Sequence, residues 1–155
     1  MLINLLLGCG TVFNTMCIQV TVVVLMLRYL IKIMARPDRD TESFGFDTYA
    51  LSLILLMLFA GHLFQIAIWA ILFMYLGEFS DFLTASYHST VNFASLGYGD
   101  IVMSEKWRLL GALEASNGVL MFGLSAGTIL SVMSRLFARH TISGVRPEDR
   151  GHMKG

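Results

Sequence analysis

Three long segments of the chain carry almost no charged side chains, and they organise the rest of the sequence. The first runs from residue 1 to about residue 34, with no acidic or basic residue before Arg28. The second and third cover about residues 48–76 and 108–138. Each exceeds the roughly 20 apolar residues that a helix needs to cross the hydrocarbon core of a bilayer. The pattern predicts an all-α membrane protein with three transmembrane helices.

A shorter amphipathic segment lies between the second and third spans. Ser80 and Asp81 are favourable residues for starting a helix, which we expect to cover residues 81–94. This helix is too short to cross the bilayer, so it must enter the membrane and return on the same side. Re-entrant backbone is tolerated at that depth only where it is buried in protein or lines water. The segment therefore predicts a re-entrant helix followed by a loop that faces a pore or a protein interior.

The residues after this short helix are Ser95-Leu96-Gly97-Tyr98-Gly99, followed by Asp100. Glycine adopts positive φ at no steric cost, so this backbone can run extended with its carbonyl groups pointing one way. Rings of such carbonyls can replace the hydration shell of a cation. The motif resembles the selectivity filter of potassium channels, Thr-Val/Ile-Gly-Tyr-Gly followed by Asp. Its position between two membrane-length segments is also typical of that family.

The resemblance covers residues 48–138 and implies an outer helix (48–76), a pore helix (81–94), a filter (95–99) and an inner helix (108–138). Each chain supplies one loop and a closed ring of carbonyls needs four, so it implies a homotetramer with a four-fold pore. Potassium ions would be bound by the carbonyls of Ser95, Leu96, Gly97 and Tyr98 and by the Ser95 hydroxyl. Asp100 would concentrate cations at the outer mouth. The implied partners are other copies of the chain, the lipid bilayer and potassium ions, with no cofactor beyond the permeant ion.

The resemblance also assigns roles to residues around the filter. Tyr87 and His88 occupy the positions of aromatic residues that brace the filter in the family, and Asn92 stands in a run that is usually rich in threonine. In the third span, small residues and one leucine recur every three or four positions. In an inner helix this face would line the cavity below the filter, although close helix packing in membranes produces the same spacing. These residues are Ser116, Leu120, Gly123, Gly127 and Ser131.

Polar residues within the spans predict which helix faces pack on protein. In the first span they recur with small residues at helical spacing, and this face should avoid lipid. We expect His62, which shares a face with Gln65, to be a neutral, hydrogen-bonded residue at a helix interface rather than a pH sensor. We expect Glu114 to lie behind the pore helix, paired with a hydroxyl or an amide. The residues of the first-span face are Asn4, Gly8, Thr11, Thr15 and Gln19.

Basic residues predict the orientation of the chain in a cell membrane. The first span ends in a basic cluster that continues into residues 35–47, which places this linker in the cytoplasm and the N-terminus outside. Residues 139–155 form a short basic tail that would also be cytoplasmic. It is too short to bury the core of a sensor domain. The basic residues concerned are Arg28, Lys32, Arg36, Arg39, Arg139, Arg146, Arg150 and Lys154.

Composition narrows the classes of function. Hydrophobic residues make up 55% of the chain and charged residues 14%, which excludes an ordinary soluble domain. The net charge of +0 gives no sign of a nucleic-acid partner. The function that the resemblance to potassium channels implies is passive conduction of potassium. Two alternatives remain: a weakly selective monovalent cation channel, because Ser95 replaces threonine, and a non-conducting modulatory subunit with a pore-like fold. A membrane enzyme is disfavoured, because the sequence offers no nucleophile–base constellation and no metal-ligand cluster.

Overall fold

The computed structural model describes residues 2–34 and 44–143, which form four α-helices and contain no strand. Helix α1 spans Leu2–Met34, α2 spans Phe44–Tyr75, α3 spans Phe82–Phe93 and α4 spans Arg108–Ser143. Among the described residues, three stretches are long and apolar enough to cross a membrane: Leu2–Lys32, Gly45–Tyr75 and Arg108–Ala138. This confirms the expectation of an all-helical, multi-pass membrane protein.

Two helix boundaries differ from the expected ones. Helix α2 already begins at Phe44, so the last residues of the expected 35–47 linker are helical, with Asp47 in the first turn. A negative charge there stabilises a helix N-terminus. Helix α4 continues past residue 138 to Ser143. The remaining linker (35–43) and tail (144–155) lie outside the described residues, as do most of the basic residues used to predict orientation.

Buried apolar side chains form two clusters at opposite ends of the helix bundle. One joins α1, α2 and the end of α4, through residues such as Met26, Ile54 and Val132. The other joins α2, α3 and the beginning of α4, around Trp69 and Phe93. Because the second cluster surrounds α3, the short helix is held by apolar contacts from both of its neighbours. This cluster fixes where the chain after α3 emerges.

A layer of buried polar side chains separates the two clusters and joins α1, α2 and α4. Gln65 Nε2 donates to Gln19 Oε1 at 2.6 Å, and Gln19 Nε2 donates to Ser125 Oγ at 3.1 Å. Ser125 Oγ in turn lies 3.1 Å from His62 Nε2. His62 is thus a hydrogen-bonded residue at a helix interface. Four of the five residues of the predicted protein-facing surface of α1 are buried, namely Asn4, Gly8, Thr15 and Gln19, whereas Thr11 is half-buried.

Candidate functional site

Hydrogen bonds of backbone N–H groups define the end of α2 and the start of α3. Gly77, with φ of 78°, ends α2: its N–H donates to the Met74 carbonyl, and the Glu78 N–H donates to the Phe73 carbonyl. This pair of bonds is the Schellman arrangement, which favours glycine at its left-handed position. Asp81 then caps α3 by accepting from the N–H groups of Leu83 and Thr84 at 2.8 and 3.0 Å. The cap is Asp81 rather than the neighbouring Ser80.

The C-terminus of α3 ends in the same arrangement, but with a serine at the left-handed position. Ser95 N–H donates to the Asn92 carbonyl at 2.8 Å, and Leu96 N–H donates to the Val91 carbonyl at 2.9 Å. Ser95 has φ of 55°, a conformation that costs an L-residue roughly 1–2 kcal/mol. The two hydrogen bonds stabilise this conformation and attach the start of the 95–99 loop rigidly to α3. The sequence analysis predicted that the Ser95 hydroxyl is an ion ligand, but it did not predict this backbone conformation.

The sign of the backbone angle φ alternates along the 95–99 loop. Ser95, Gly97 and Gly99 have φ of 55°, 62° and 74°, whereas Leu96 and Tyr98 have negative φ. Glycine adopts positive φ without steric cost, so Gly97 and Gly99 accommodate this alternation without strain. All residues from Ser95 to Asp100 are exposed in this single chain. The loop is therefore open to other molecules along its whole length in the single chain.

Asp100 joins the far end of the loop back to α3. Its Oδ1 accepts from the N–H of Ile101 at 3.1 Å, and its Oδ2 accepts from the Tyr87 hydroxyl at 2.6 Å. The Tyr87 hydrogen bond is the main cause that lowers the pKa of Asp100. The same bond raises the pKa of Tyr87. The carboxylate is therefore ionised at neutral pH, and it places a negative charge directly after the 95–99 loop.

His88 supports the loop from behind, through a second bond between α3 and the residues after the loop. Its Nδ1 lies 3.1 Å from the Ile101 carbonyl oxygen, and Asn92 Nδ2 lies 2.8 Å from its Nε2. Since a carbonyl only accepts and an amide nitrogen only donates, the ring proton is on Nδ1. The ring packs against Phe73 and Phe79. Burial lowers the pKa of His88, although the bond to Ile101 and the charges of Asp100 and Glu78 oppose this shift.

A carboxylate clip joins the chain segments on either side of α3 and the loop. The N–H and hydroxyl of Ser104 donate to the two carboxylate oxygens of Glu78, at 2.7 and 2.6 Å. The amide of Asn4 donates to the Lys106 carbonyl, so α1 also contacts this region. Sequence reasoning did not predict the clip. Glu78 and Ser104 are ordinary polar residues in connecting segments, and only the fold brings them together.

Helix α4 has two distinct faces. The buried face carries Leu110, Glu114, Asn117, Met121, Ser125, Val132 and Leu136. The five residues proposed from the sequence to line a cavity are all exposed on the other face. A methyl group added at Gly123 or Gly127 would meet no atom of this chain within 4 Å. These residues do not pack α4 against the other described helices of the same chain, so intrachain packing does not explain their spacing.

The buried face of α4 meets α3 at very short range. A Cβ atom at Gly118 would lie 1.9 Å from the Phe93 carbonyl oxygen, so only glycine fits there without backbone movement. One turn earlier, Glu114 is fully buried and pairs with the Ser89 hydroxyl of α3. This confirms the expectation that Glu114 lies behind the short helix and pairs with a hydroxyl.

Comparison with known protein families gives one match, which covers the middle of the chain. A family model described as "Ion channel" matches residues 51–135, which include α3, the 95–99 loop and most of α2 and α4. The chain belongs to this ion channel family. The match covers more than half of the 155 residues and excludes α1, which is an addition to the matched channel domain. No curated protein and no solved structure matches the sequence of this chain.

Membership of the family assigns the membrane helices a general role. Proteins of this kind assemble into oligomers and let ions permeate a membrane, and they are generally not enzymes. The channel's α3 and 95–99 loop lie in the middle of the matched region. The geometry described above therefore belongs to the channel domain and not to the additional helix α1.

Proposed function

We propose that the protein is a homotetrameric, potassium-selective channel and that residues 95–99 are its selectivity filter. The observation that carries the proposal is the alternation of positive φ at Ser95, Gly97 and Gly99. A row of carbonyls on one side of an extended backbone is what is needed to replace the hydration shell of a potassium ion. The ligands would be the carbonyls of Ser95, Leu96, Gly97 and Tyr98 and the hydroxyl of Ser95.

Helix α3 supports this proposal by its length and direction. Its 12 residues span about 18 Å, which is less than the roughly 30 Å of the hydrocarbon core. We therefore propose that α3 is re-entrant and stops within the membrane. The partial negative charge of a helix C-terminus favours a cation near it. Because the loop starts at the C-terminus of α3, this charge would act on ions at the Ser95 end of the loop.

The exposure of the loop supports assembly of several copies. Leu96 is 51% exposed and Tyr98 66% exposed in the single chain. A cleft of about 450 Å³ also remains next to the loop, lined by residues such as His88, Asn92 and Gly97. Neighbouring copies around a four-fold axis would cover these side chains and turn four loops into rings of carbonyls. The exposed face of α4, with Leu120, Gly123 and Gly127, would then line the cavity below the rings.

Asp100 completes the proposed conduction path. Four ionised carboxylates at the outer mouth would raise the local concentration of cations. In the proposed channel the Asp100 end of the loop would face outside the cell and the end of α4 the cytoplasm, which is the orientation that the positive-inside rule favours.

A weakly selective cation channel is the second candidate, and Ser95 is the observation that favours it. Serine keeps the hydroxyl ligand of threonine but lacks the methyl group that restricts the rotamer. A more mobile hydroxyl would weaken discrimination at the innermost ion site. Comparison of sodium and potassium permeation distinguishes the two candidates directly.

Native mass spectrometry and thermal unfolding test the assembly on which the proposal depends. Ions bound by all four chains stabilise the tetramer by mass action, by RT ln(1 + [L]/Kd). We expect a tetramer whose thermal midpoint falls when potassium is replaced by a large organic cation. A dimer, or a midpoint that is the same in both solutions, would contradict the proposed ring of carbonyl sites.

A further inference from the structure

We infer that Glu114 is the positioning residue that fixes α3, and with it the 95–99 loop, and that it does so as a neutral carboxylic acid. The inference rests on the proposed function, because the position of the loop matters only if the loop selects ions. It assigns a role to the acid of α4 that the channel motif itself does not use.

Glu114 is completely buried between helices, where a carboxyl group is costly. It is the only acidic residue in α4, and both Glu114 and Ser89 have 0% relative exposure. Burying an ionised carboxylate in an apolar environment costs several kcal/mol unless it is paired. The acids and bases on the packed helices offer no counter-ion: His62 on α2 bonds Ser125, His88 on α3 bonds Ile101, and residues 2–27 of α1 carry no charge. Glu114 is therefore held by hydrogen bonds rather than by an ion pair.

Counting hydrogen atoms indicates the protonation state of Glu114. Ser89 Oγ lies within hydrogen-bond distance of two oxygens, the Ile66 carbonyl at 3.0 Å and Glu114 Oε1. A serine hydroxyl has one hydrogen, and a carbonyl oxygen has none to donate. Two separate hydrogen bonds form if Glu114 donates its proton to Ser89 Oγ and Ser89 donates to Ile66, whereas an ionised Glu114 would leave both oxygens to share the single hydroxyl hydrogen. This directed chain connects α4, α3 and α2.

The surroundings of the second carboxyl oxygen of Glu114, Oε2, also favour the neutral form. Glu114 Oε2 has no partner within hydrogen-bond distance among the described residues. A buried acceptor without a partner costs more when its group is charged than when it is neutral. A neutral carboxyl group therefore fits this site better than a carboxylate.

The position of Glu114 on α4 explains how it can act on the loop. Gly111, Glu114 and Gly118 follow each other along one face of α4, and this face lies against α3. A Cβ atom at Gly111 would be 3.0 Å from Asn92 Nδ2, and one at Gly118 would be 1.9 Å from the Phe93 carbonyl oxygen. The two glycines let the backbones approach closely, and the Glu114–Ser89 bond between them fixes the register of the helices.

Movement of α3 would pass directly to the first carbonyls of the loop. Ser95 and Leu96 are bonded to the carbonyls of Asn92 and Val91, so the start of the loop moves with the last turn of α3. Ion selectivity depends on the placement of the carbonyl ligands. Loss of the Glu114 bond should therefore change selectivity even though Glu114 lies outside the row of carbonyls.

Wild type, three variants and one control variant in liposomes test the inference; the three variants are Glu114→Gln, Glu114→Leu and Ser89→Ala. Glutamine keeps the donor, the shape and the neutral charge, so Glu114→Gln should retain the potassium-to-sodium permeability ratio of wild type. Leucine removes the donor, and Ser89→Ala removes its acceptor with little change in volume. Each of these should lower the ratio by about tenfold, equivalent to about 1.4 kcal/mol in relative ion binding. The exposed acid variant Glu105→Gln serves as the matched control and should behave as wild type.

Infrared difference spectroscopy of wild type against Glu114→Gln gives a readout that does not depend on conduction. A neutral Glu114 gives a protonated-carboxyl band that the variant lacks, whereas carboxylate bands in its place would overturn the neutral acid. A normal permeability ratio in assembled Ser89→Ala or Glu114→Leu would overturn the positioning role. Should wild type prove non-selective, the proposed function fails, while the infrared band still decides the protonation of Glu114.

Discussion

The Tyr87 hydroxyl donates to Asp100 Oδ2 at 2.6 Å, and this bond connects the middle of α3 to the residue directly after the 95–99 loop. The other end of the loop is joined to α3 through the N–H groups of Ser95 and Leu96. Both ends of the loop are thus attached to the same short helix. A loop held in this way keeps an alternating backbone that would otherwise relax.

Replacement of Tyr87 by phenylalanine tests the outer attachment. The Tyr87 bond lowers the pKa of Asp100, so its contribution is present above the pKa of the unfolded chain and is lost as pH falls through the folded pKa. Without the bond, Asp100 should be protonated at a higher pH. We expect the acid-induced loss of potassium flux in Tyr87→Phe to begin at a higher pH than in wild type. Superimposable pH profiles would show that the bond does not control the charge of Asp100.

Protonation of His88 should destabilise the channel. Burial lowers the pKa of His88 below its ordinary value of about 6.5, so the neutral form stabilises the fold above that value and the contribution is lost as pH falls through the folded pKa. Protonation would place a second N–H opposite the Asn92 amide. The thermal midpoint of wild type should therefore decrease on acidification more than that of His88→Asn, whose amide can retain the Ile101 bond. Equal decreases would exclude His88 as the cause.

Gly118→Ala tests the close approach of α4 to α3. The added methyl group would lie 1.9 Å from the Phe93 carbonyl oxygen, and backbone displacement of this kind costs roughly 1–3 kcal/mol. Gly10→Ala is the control, since Gly10 lies in α1 and its Cβ would meet no atom within 4 Å. In thermal unfolding we expect Gly118→Ala to be clearly destabilised and Gly10→Ala to be unchanged or slightly stabilised. Equal stability of the two variants would contradict the packing of α3 on α4.

Gln19→Leu tests whether the buried polar layer attaches α1 to the channel domain. Gln19 bonds Gln65 on α2 and Ser125 on α4. Interhelical hydrogen bonds in membrane proteins contribute roughly 0.6–1.7 kcal/mol each, so the variant should lose stability of about this order. Thr21→Ala is the control, because Thr21 is exposed and bonds only the Cys17 carbonyl of its own helix. If both variants unfold at the wild-type temperature, the Gln19 bonds do not contribute to the attachment of α1.

Features that depend on residue type and spacing could be predicted from the sequence. The length of the apolar runs predicted the three spans, and the spacing of Asn4, Gly8, Thr15 and Gln19 predicted the buried face of α1. The pairing of Glu114 with a hydroxyl followed from the cost of an isolated carboxyl group among apolar residues. The Gly97 and Gly99 positions predicted a backbone that uses positive φ, and both have it.

Features that depend on how distant segments meet could not be predicted. The left-handed conformation of Ser95 arises because α3 ends there in a hydrogen-bonded arrangement that normally takes glycine. Glu78 and Ser104 lie 26 positions apart, and neither has a motif that marks it. The need for glycine at position 118 comes from the distance between two helix backbones, which the periodicity of one helix does not contain.

The most direct test of the central claim is the ratio of potassium to sodium flux in liposomes that contain wild type, Gly97→Ala or Gly10→Ala. Added methyl groups at both glycines would meet no atom of the same chain within 4 Å, but only Gly97 has a left-handed φ, at 62°. We predict that wild type and Gly10→Ala conduct potassium selectively and that Gly97→Ala loses this flux. Wild-type liposomes that pass sodium as readily as potassium, or a Gly97→Ala channel with unchanged selectivity, would contradict the account of residues 95–99 as a potassium filter.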